Sequence, residues 1–512
     1  MRIQASNPTA TDTDSGDASG SLRRAAFSGA RWGGLASIVE QLGTVASTVV
    51  LARLLTPADF GIVTAATVAV GLFEVFTRLG FGAALVNRKT IDDRVASSTF
   101  WLALAVGLVV SGLVAFASPL LARAVGKPQA APFIAVAGLV IAMGQVSRVS
   151  GALLARGLRF KAIYMTDIAS IIAYSGTAIV LVVTTNLGPW AIIIGRVVGS
   201  FVLMVTRFVV GDWFPRLMFD GASIRDDLRF NLAFITNHLM AYGAKNADYW
   251  MLGQTASSAA LGSYYVAYVL PSILRQRMTW LTGEILFPVL SRVRDEPDRM
   301  RRAYAEVMQF LSFLAFPALL GISLLSEPIV YVFFGPKWLA AVTPLSIVAV
   351  AAAIETVTQV ASTIFVSQGT PGRSAIVNTI RLIALSVGLA VAAAVGGLES
   401  VALAVLVSTL VAFVVSQRIL IRTIGATWTF LPKVLWPVLL PTGLMLIVVA
   451  SRQTILPPSI SPILDLGFSA TIGGISYLAI GLLLFGSDYK RLTRQVRQFL
   501  QPQATSARRD PA

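Results

Sequence analysis

The sequence predicts an all-α polytopic membrane protein of about 14 transmembrane helices: two six-helix bundles related by a pseudo-two-fold axis along the membrane normal, plus two C-terminal helices. Three observations carry this. Roughly fourteen apolar stretches follow one another, each about 20 residues long, which is what a helix needs to cross a hydrocarbon core about 30 Å thick. The connections between them are short. Composition agrees: of 512 residues 55% are hydrophobic and 13% charged, and the mean hydropathy is +0.75.

Residues 1–24 are rich in Ser, Thr, Ala and Asp without an apolar core, so they read as a disordered cytoplasmic tail and not as a signal peptide. Spans are expected at 32–53, 60–86, 98–121, 130–153, 163–184 and 189–210, forming an N-terminal bundle over 25–210. A cytoplasmic linker of mixed charge, 211–229, leads to spans at 230–252, 261–287, 304–325, 341–366, 375–396 and 399–421, a second bundle over 230–424. Two additional spans, 431–450 and 463–485, occupy 425–487, and residues 488–512 form a basic cytoplasmic tail. Seven of nine tryptophans (Trp32, Trp101, Trp190, Trp213, Trp338, Trp428 and Trp436) fall near expected span ends, where an indole prefers the headgroup region. A weak internal echo supports the two bundles. Arg53–Gly61 (RLLTPADFG) and Gln254–Gly262 (QTASSAALG) each join an odd span to the next, 201 residues apart. Six spans return the chain to the same side, so these would be parallel repeats.

The net charge of +16 resembles a nucleic-acid signal until its placement is considered. Twenty-eight Lys and Arg lie on the termini and the even-numbered loops, against Arg53, Arg123, Lys127, Lys337 and Arg452 on the odd ones. The positive-inside rule then predicts a multi-pass protein of the bacterial inner membrane with both termini in the cytoplasm, and no nucleic acid is required. The absence of cysteine removes disulfides and thiolate chemistry, and the single histidine argues against a metal centre. No loop is long enough for a catalytic domain, so neither an enzyme nor a cofactor is expected.

An ionised residue at the bilayer centre costs about 2.5–3.5 kcal/mol, so charges there face a wet cavity or a partner. Span 7 carries His238, Lys245 and Asp248, and span 8 carries Arg275, Arg277 and Glu284. Lys245, Arg275 and Arg277 are therefore candidate cavity cations for an anionic substrate. The alternative is an internal network pairing Lys245 with Asp248 and Arg277 with Glu284. Glu355 is central in span 10 without an obvious local cation, which makes it, with Asp248, a candidate for coupling to a proton or sodium gradient. Glu40, Glu74 and Arg78 fall at similar depth and suggest a structural charge cluster. His238 reads as a packed polar residue. Arg148, Arg196, Arg207 and Arg381 lie nearer span ends, where snorkelling suffices.

The segments Leu51–Gly61 (LARLLTPADFG), Gly80–Lys89 (GFGAALVNRK), Ser98–Trp101 (STFW), Arg159–Ala162 (RFKA), Leu261–Tyr268 (LGSYYVAY) and Phe287–Arg292 (FPVLSR) share order and spacing with a known family. On these the chain resembles the Wzx-type polysaccharide-biosynthesis flippases of the multidrug/oligosaccharidyl-lipid/polysaccharide exporter superfamily, closest to the colanic acid exporter branch. The resemblance implies a flippase that carries an undecaprenyl-diphosphate-linked oligosaccharide from the inner to the outer leaflet, alongside a polysaccharide polymerase and glycosyltransferases. It also implies a cationic cavity. A drug or cation antiporter and a peptidoglycan-precursor flippase of the same superfamily remain alternatives.

Overall fold

The computed structural model describes residues 33, 39–77, 85, 92–218, 220, 239–240, 242–280, 296–451 and 461–500. All regular structure among them is helical. The first lobe comprises α1 (39–54), α2 (Pro57–Thr77), α3 (Asp93–Ala124), α4 (Pro128–Arg156), α5 (Phe160–Thr184) and α6 (Trp190–Gly211). The second comprises α7 (242–255), α8 (Ser258–Trp280), α9 (Pro297–Leu324), α10 (Val342–Ser367), α11 (Pro371–Val395) and α12 (Leu398–Thr423). Then come α13 (Phe430–Ala450), α14 (Pro462–Leu484) and α15 (Gly486–Leu500). Among the described residues eleven helices are long and apolar enough to cross a membrane. α8 falls short because Arg275, Gln276, Arg277 and three tyrosines dilute its apolar run.

Local chemistry sets the helix starts. Thr56 and Asp59 form a reciprocal cap on α2: the Thr56 hydroxyl and amide both donate to Asp59 Oδ2 (2.7 and 2.9 Å), and the Asp59 amide donates to Thr56 Oγ1 (3.3 Å). Asp92 caps α3 by accepting from the Val95 amide at 3.2 Å, so that helix starts ahead of the expected residue 98. Proline occupies the first turn of α4, α9, α11 and α14, where its missing N–H is not needed. α4 is interrupted at Gly138. There Ser111 of α3 donates to the Gly138 carbonyl (2.8 Å) and accepts from the Ala142 amide (3.2 Å), satisfying groups that the break releases.

The lobes repeat one another. In the first, α2 packs on α3, α3 on α4, α4 on α6 and α5 on α6; in the second, α8 packs on α9, α9 on α10, α10 on α12 and α11 on α12. They meet where α2 crosses α8. A Cβ on Gly61 would lie 1.8 Å from the Ser258 carbonyl oxygen, and one on Gly262 would lie 1.9 Å from that of Pro57. Pro57 and Ser258 are 201 residues apart, as are Gly61 and Gly262. The two contacts therefore exchange under a two-fold rotation, as in an isologous dimer interface. Ser257, 201 residues after Thr56, caps α8 in the same way, its hydroxyl accepting from the Ala260 amide at 3.1 Å.

Outside the lobes, α13 packs on α9 and α14, and the Tyr477 hydroxyl donates to the Phe313 carbonyl at 3.1 Å. Residues read as a basic tail form α15 instead. Tyr489 and Leu492 are buried on one face of it while Lys490, Arg491 and Arg494 are exposed on the other, the pattern of a helix lying at an interface. Ile172, Val180 and Val183 on α5, and Ile383, Val387 and Val391 on α11, stand exposed. That apolar surface is what a bilayer covers.

Candidate functional site

Helices α7, α8, α10 and α11 bring together a network that local sequence conceals. Arg381 Nη1 donates to Glu355 Oε1 at 2.9 Å, and Arg275 Nε lies 3.8 Å from Glu355 Oε2. Lys245 is within electrostatic reach of the same carboxylate. Three cations from three helices thus surround one anion. Side-chain accessibilities of 26% for Arg275, 31% for Arg381 and 23% for Glu355 show that the network is partly open and not sealed in a core. Charges at this depth need water or one another, and here the ion pairs supply the second.

Arg277, on the same helix as Arg275, reaches the other lobe, where its Nε donates to Gln41 Oε1 of α1 at 2.8 Å. Its Nη2 is buried without a hydrogen-bond partner among the described residues. Glu40, beside Gln41, lies within electrostatic reach of Arg277 and of Asp167. A second lobe-to-lobe bond runs from the Tyr242 hydroxyl of α7 to the Val68 carbonyl of α2 at 2.7 Å.

Asp248 is buried in a cage of hydroxyls. Its Oδ2 accepts from Tyr264 (2.9 Å) and Tyr268 (3.1 Å), and its Oδ1 from the Tyr249 amide (2.9 Å). The two tyrosines are one helical turn apart on α8, within the LGSYYVAY segment, so their i,i+4 spacing was the available signal.

Of the expected cluster of Glu40, Glu74 and Arg78, the two carboxylates are described. Glu74 pairs with Arg148 of α4 at 2.9 Å, Glu40 faces Arg277, and Arg78 lies outside the described residues, as do Glu284 and His238. Three arginines expected to snorkel instead find carboxylates on other helices: Arg148 with Glu74, Arg381 with Glu355, and Arg207 with Asp167 at 2.7 Å. Asp167 had no distinguishing mark in sequence, because its partner is 40 residues away.

The lobes are fastened at the face carrying the α1–α2, α3–α4, α7–α8 and α9–α10 loops, here the odd-loop face. Lys127, after α3, inserts its ammonium among carbonyls that end α7, with Ala256 O at 2.7 Å and Gly253 O also accepting. Lys337, before α10, does the same for the end of α1, donating to Arg53 O (2.9 Å) and Leu55 O (2.6 Å). Leu55 and Ala256 are again 201 residues apart. Arg53 and Gln254, a further pair at that offset, return the contact: Arg53 Nε donates to Phe333 O (3.0 Å) and Gln254 Nε2 to Arg123 O (3.3 Å). Burial lowers the Lys127 ammonium from the ordinary lysine range. Trp338 is fully buried here, its Nε1 donating to Ala52 O at 2.9 Å and its ring edge-on to Phe60 at 5.2 Å. It serves the lobe contact and not the headgroup belt expected of it.

Two repeated six-helix lobes, fastened at one face and carrying an intramembrane charge network, define a multi-pass membrane protein of the two-lobed transporter fold. The chain belongs to the polysaccharide biosynthesis protein family, which matches residues 50–343. It is similar to the lipopolysaccharide biosynthesis protein WzxC of Escherichia coli (strain K12), 28% identical over 346 residues, 66% of this chain and 69% of WzxC. It is also similar to the teichuronic acid biosynthesis protein TuaB of Bacillus subtilis (strain 168), 20% identical over 484 residues, 93% of this chain and 99% of TuaB. Among solved structures its backbone resembles the lipid II flippase MurJ in an inward closed conformation, with a TM-score of 0.74 at 15% identity, covering 90% of this chain and 99% of MurJ. At that identity the likeness is one of fold.

Proposed function

We propose that the protein is a flippase for a lipid-linked oligosaccharide, moving an undecaprenyl-diphosphate-linked repeat unit from the inner to the outer leaflet of the bacterial inner membrane for surface polysaccharide synthesis. The observation that carries this reading is the gathering of three basic side chains from three helices, Lys245, Arg275 and Arg381, around Glu355 within the membrane-spanning bundle, which on this reading line a cleft between the lobes. A diphosphate with sugars attached cannot cross hydrocarbon unaided. Guanidinium groups, with several N–H donors in a planar fork, suit its oxygens, and the low dielectric of the cleft strengthens the attraction. The polyprenyl tail stays in the bilayer beside the lobes. Rocking of one lobe against the other then exposes the cleft alternately to each side. With the termini cytoplasmic, the odd-loop face is the outer one, and a polymerase and glycosyltransferases act on product and substrate. The same gathering of basic side chains disfavours the antiporter alternative, whose cationic cargo calls for acidic walls; a peptidoglycan precursor, differing in its sugars, fits the same headgroup chemistry.

The test is export of lipid-linked oligosaccharide into proteoliposomes or cells. Lys245→Gln, Arg275→Gln and Arg277→Gln are each expected to lower the rate tenfold or more, whereas Arg494→Gln on α15 keeps it. Equal rates in all four refute the assignment. Of the two candidate coupling carboxylates, Asp248 suits the role better, because two guanidinium groups already hold Glu355. Asp248→Asn is expected to abolish the response of transport to imposed proton and sodium gradients. A response that persists would place coupling elsewhere.

A further inference from the structure

Arg196 differs from the other arginines of the first lobe. It lies on α6 in the half of the lobe nearest the odd-loop face, yet its guanidinium turns inward, and Nη1 donates to Thr67 Oγ1 of α2 at 2.6 Å. That is its one hydrogen bond among the described residues, and no carboxylate there pairs with it. It projects into a pocket between α1, α2, α5, α6 and the opposing α8, whose polar lining is Thr48, Thr64, Thr67, Tyr174, Tyr265 and Arg196 itself. No acidic side chain lines it.

The hydrogens in this pocket are unevenly committed. Thr48, Thr64 and Thr67 each donate to a carbonyl of their own helix, at 2.8, 2.7 and 2.8 Å. The phenol groups of Tyr174 and Tyr265 have no hydrogen-bond partner among the described residues, and Tyr174 lies within electrostatic reach of both Arg196 and Tyr265. The pocket thus offers one positive charge, spare guanidinium N–H groups and two phenol donors, with no negative charge to match them. A cation inside a membrane protein needs a counter-charge or water. The free volume is about 30 Å³, room for one or two water-sized species at about 10–15 Å³ each. A sugar-bearing diphosphate does not fit.

We propose that this pocket binds a small inorganic anion of halide size, held by the Arg196 guanidinium and the hydroxyls of Tyr174 and Tyr265. Tyr265 belongs to the second lobe and the other groups to the first, so the anion cements the lobes beneath the closed face. The site is separate from the cleft cations, and its test contains no lipid-linked sugar, so its failure leaves the transport reading standing.

The test is thermal unfolding of the purified full-length protein in sodium chloride, bromide, phosphate or gluconate at equal ionic strength. Chloride and bromide are expected to raise Tm by several degrees over gluconate, saturably, while phosphate does not. Arg196→Gln is expected to abolish the halide increment, and the gentler double variant Tyr174→Phe/Tyr265→Phe to raise the half-saturating chloride concentration at least tenfold. Equal melting in chloride and gluconate, a halide increment that survives in both variants, or phosphate stabilising more than chloride each overturns the proposal.

Discussion

Replacing Lys127 and Lys337 together with methionine is expected to open the odd-loop face. Methionine keeps the length and apolar packing of the stem and removes only the ammonium. Each lysine donates to carbonyls at the C-terminal end of a helix in the opposite lobe, where partial negative charge accumulates. Hydrogen bonds to a charged group contribute about 1.5–3 kcal/mol, so loss of the buried Lys127 alone shifts the closed-to-open ratio roughly 10- to 100-fold. The chain has no cysteine, which makes site-directed labelling clean. Spin labels on Leu187→Cys and Glu399→Cys, exposed residues of the two lobes on this face, report the separation by pulsed electron resonance. The parent is expected to give one short distance, and the double variant a second, longer one. An unchanged distribution would show that Trp338 and the α2–α8 crossing suffice to hold the face shut.

Much of this arrangement is legible in the amino-acid sequence. Apolar run length determines spans almost by itself, because the bilayer imposes one length and forbids unsatisfied backbone. The repeat was visible in the echo of Arg53–Gly61 with Gln254–Gly262, and those two segments are the ones that face each other across the lobe axis. Charge pairing was not legible. Glu355 looked isolated because Arg381 is 26 residues away and Arg275 is 80 away, on helices whose rotation cannot be read from a uniformly apolar pattern. Arg207 looked close enough to a span end to snorkel, yet Asp167 on the neighbouring helix satisfies it internally. Lys127 and Lys337 counted in sequence only as outer-loop exceptions to a charge rule. Their role depends on which helix ends lie opposite, and that is a property of the assembled lobes. α15 was missed because its basic residues mask the Tyr489 and Leu492 face that docks it.

Glu355→Gln is expected to destabilise the protein more than any single cation replacement in the cleft. The wild-type carboxylate neutralises Arg381 at 2.9 Å and Arg275 at 3.8 Å, with Lys245 in reach. Removing it takes from Arg381 its ion-pair partner and leaves the three basic side chains repelling one another across a partly desolvated site. Breaking one side of a buried ion pair costs about 3–5 kcal/mol, and the partial accessibility of these side chains places the effect near about 3 kcal/mol. Removing a cation as well relieves this, since deleting both members of such a pair is close to neutral. Glu355→Gln/Arg381→Gln is therefore expected to recover most of the lost Tm. Transport separates the two roles of the network. If Arg381 served only to balance Glu355, the double variant would regain transport along with stability; with Arg381 also acting on the diphosphate, as proposed, it regains stability and stays impaired. A double variant as unstable as Glu355→Gln would mean that the carboxylate holds the helices through something other than charge balance, and the electrostatic account of the cleft would fall with it.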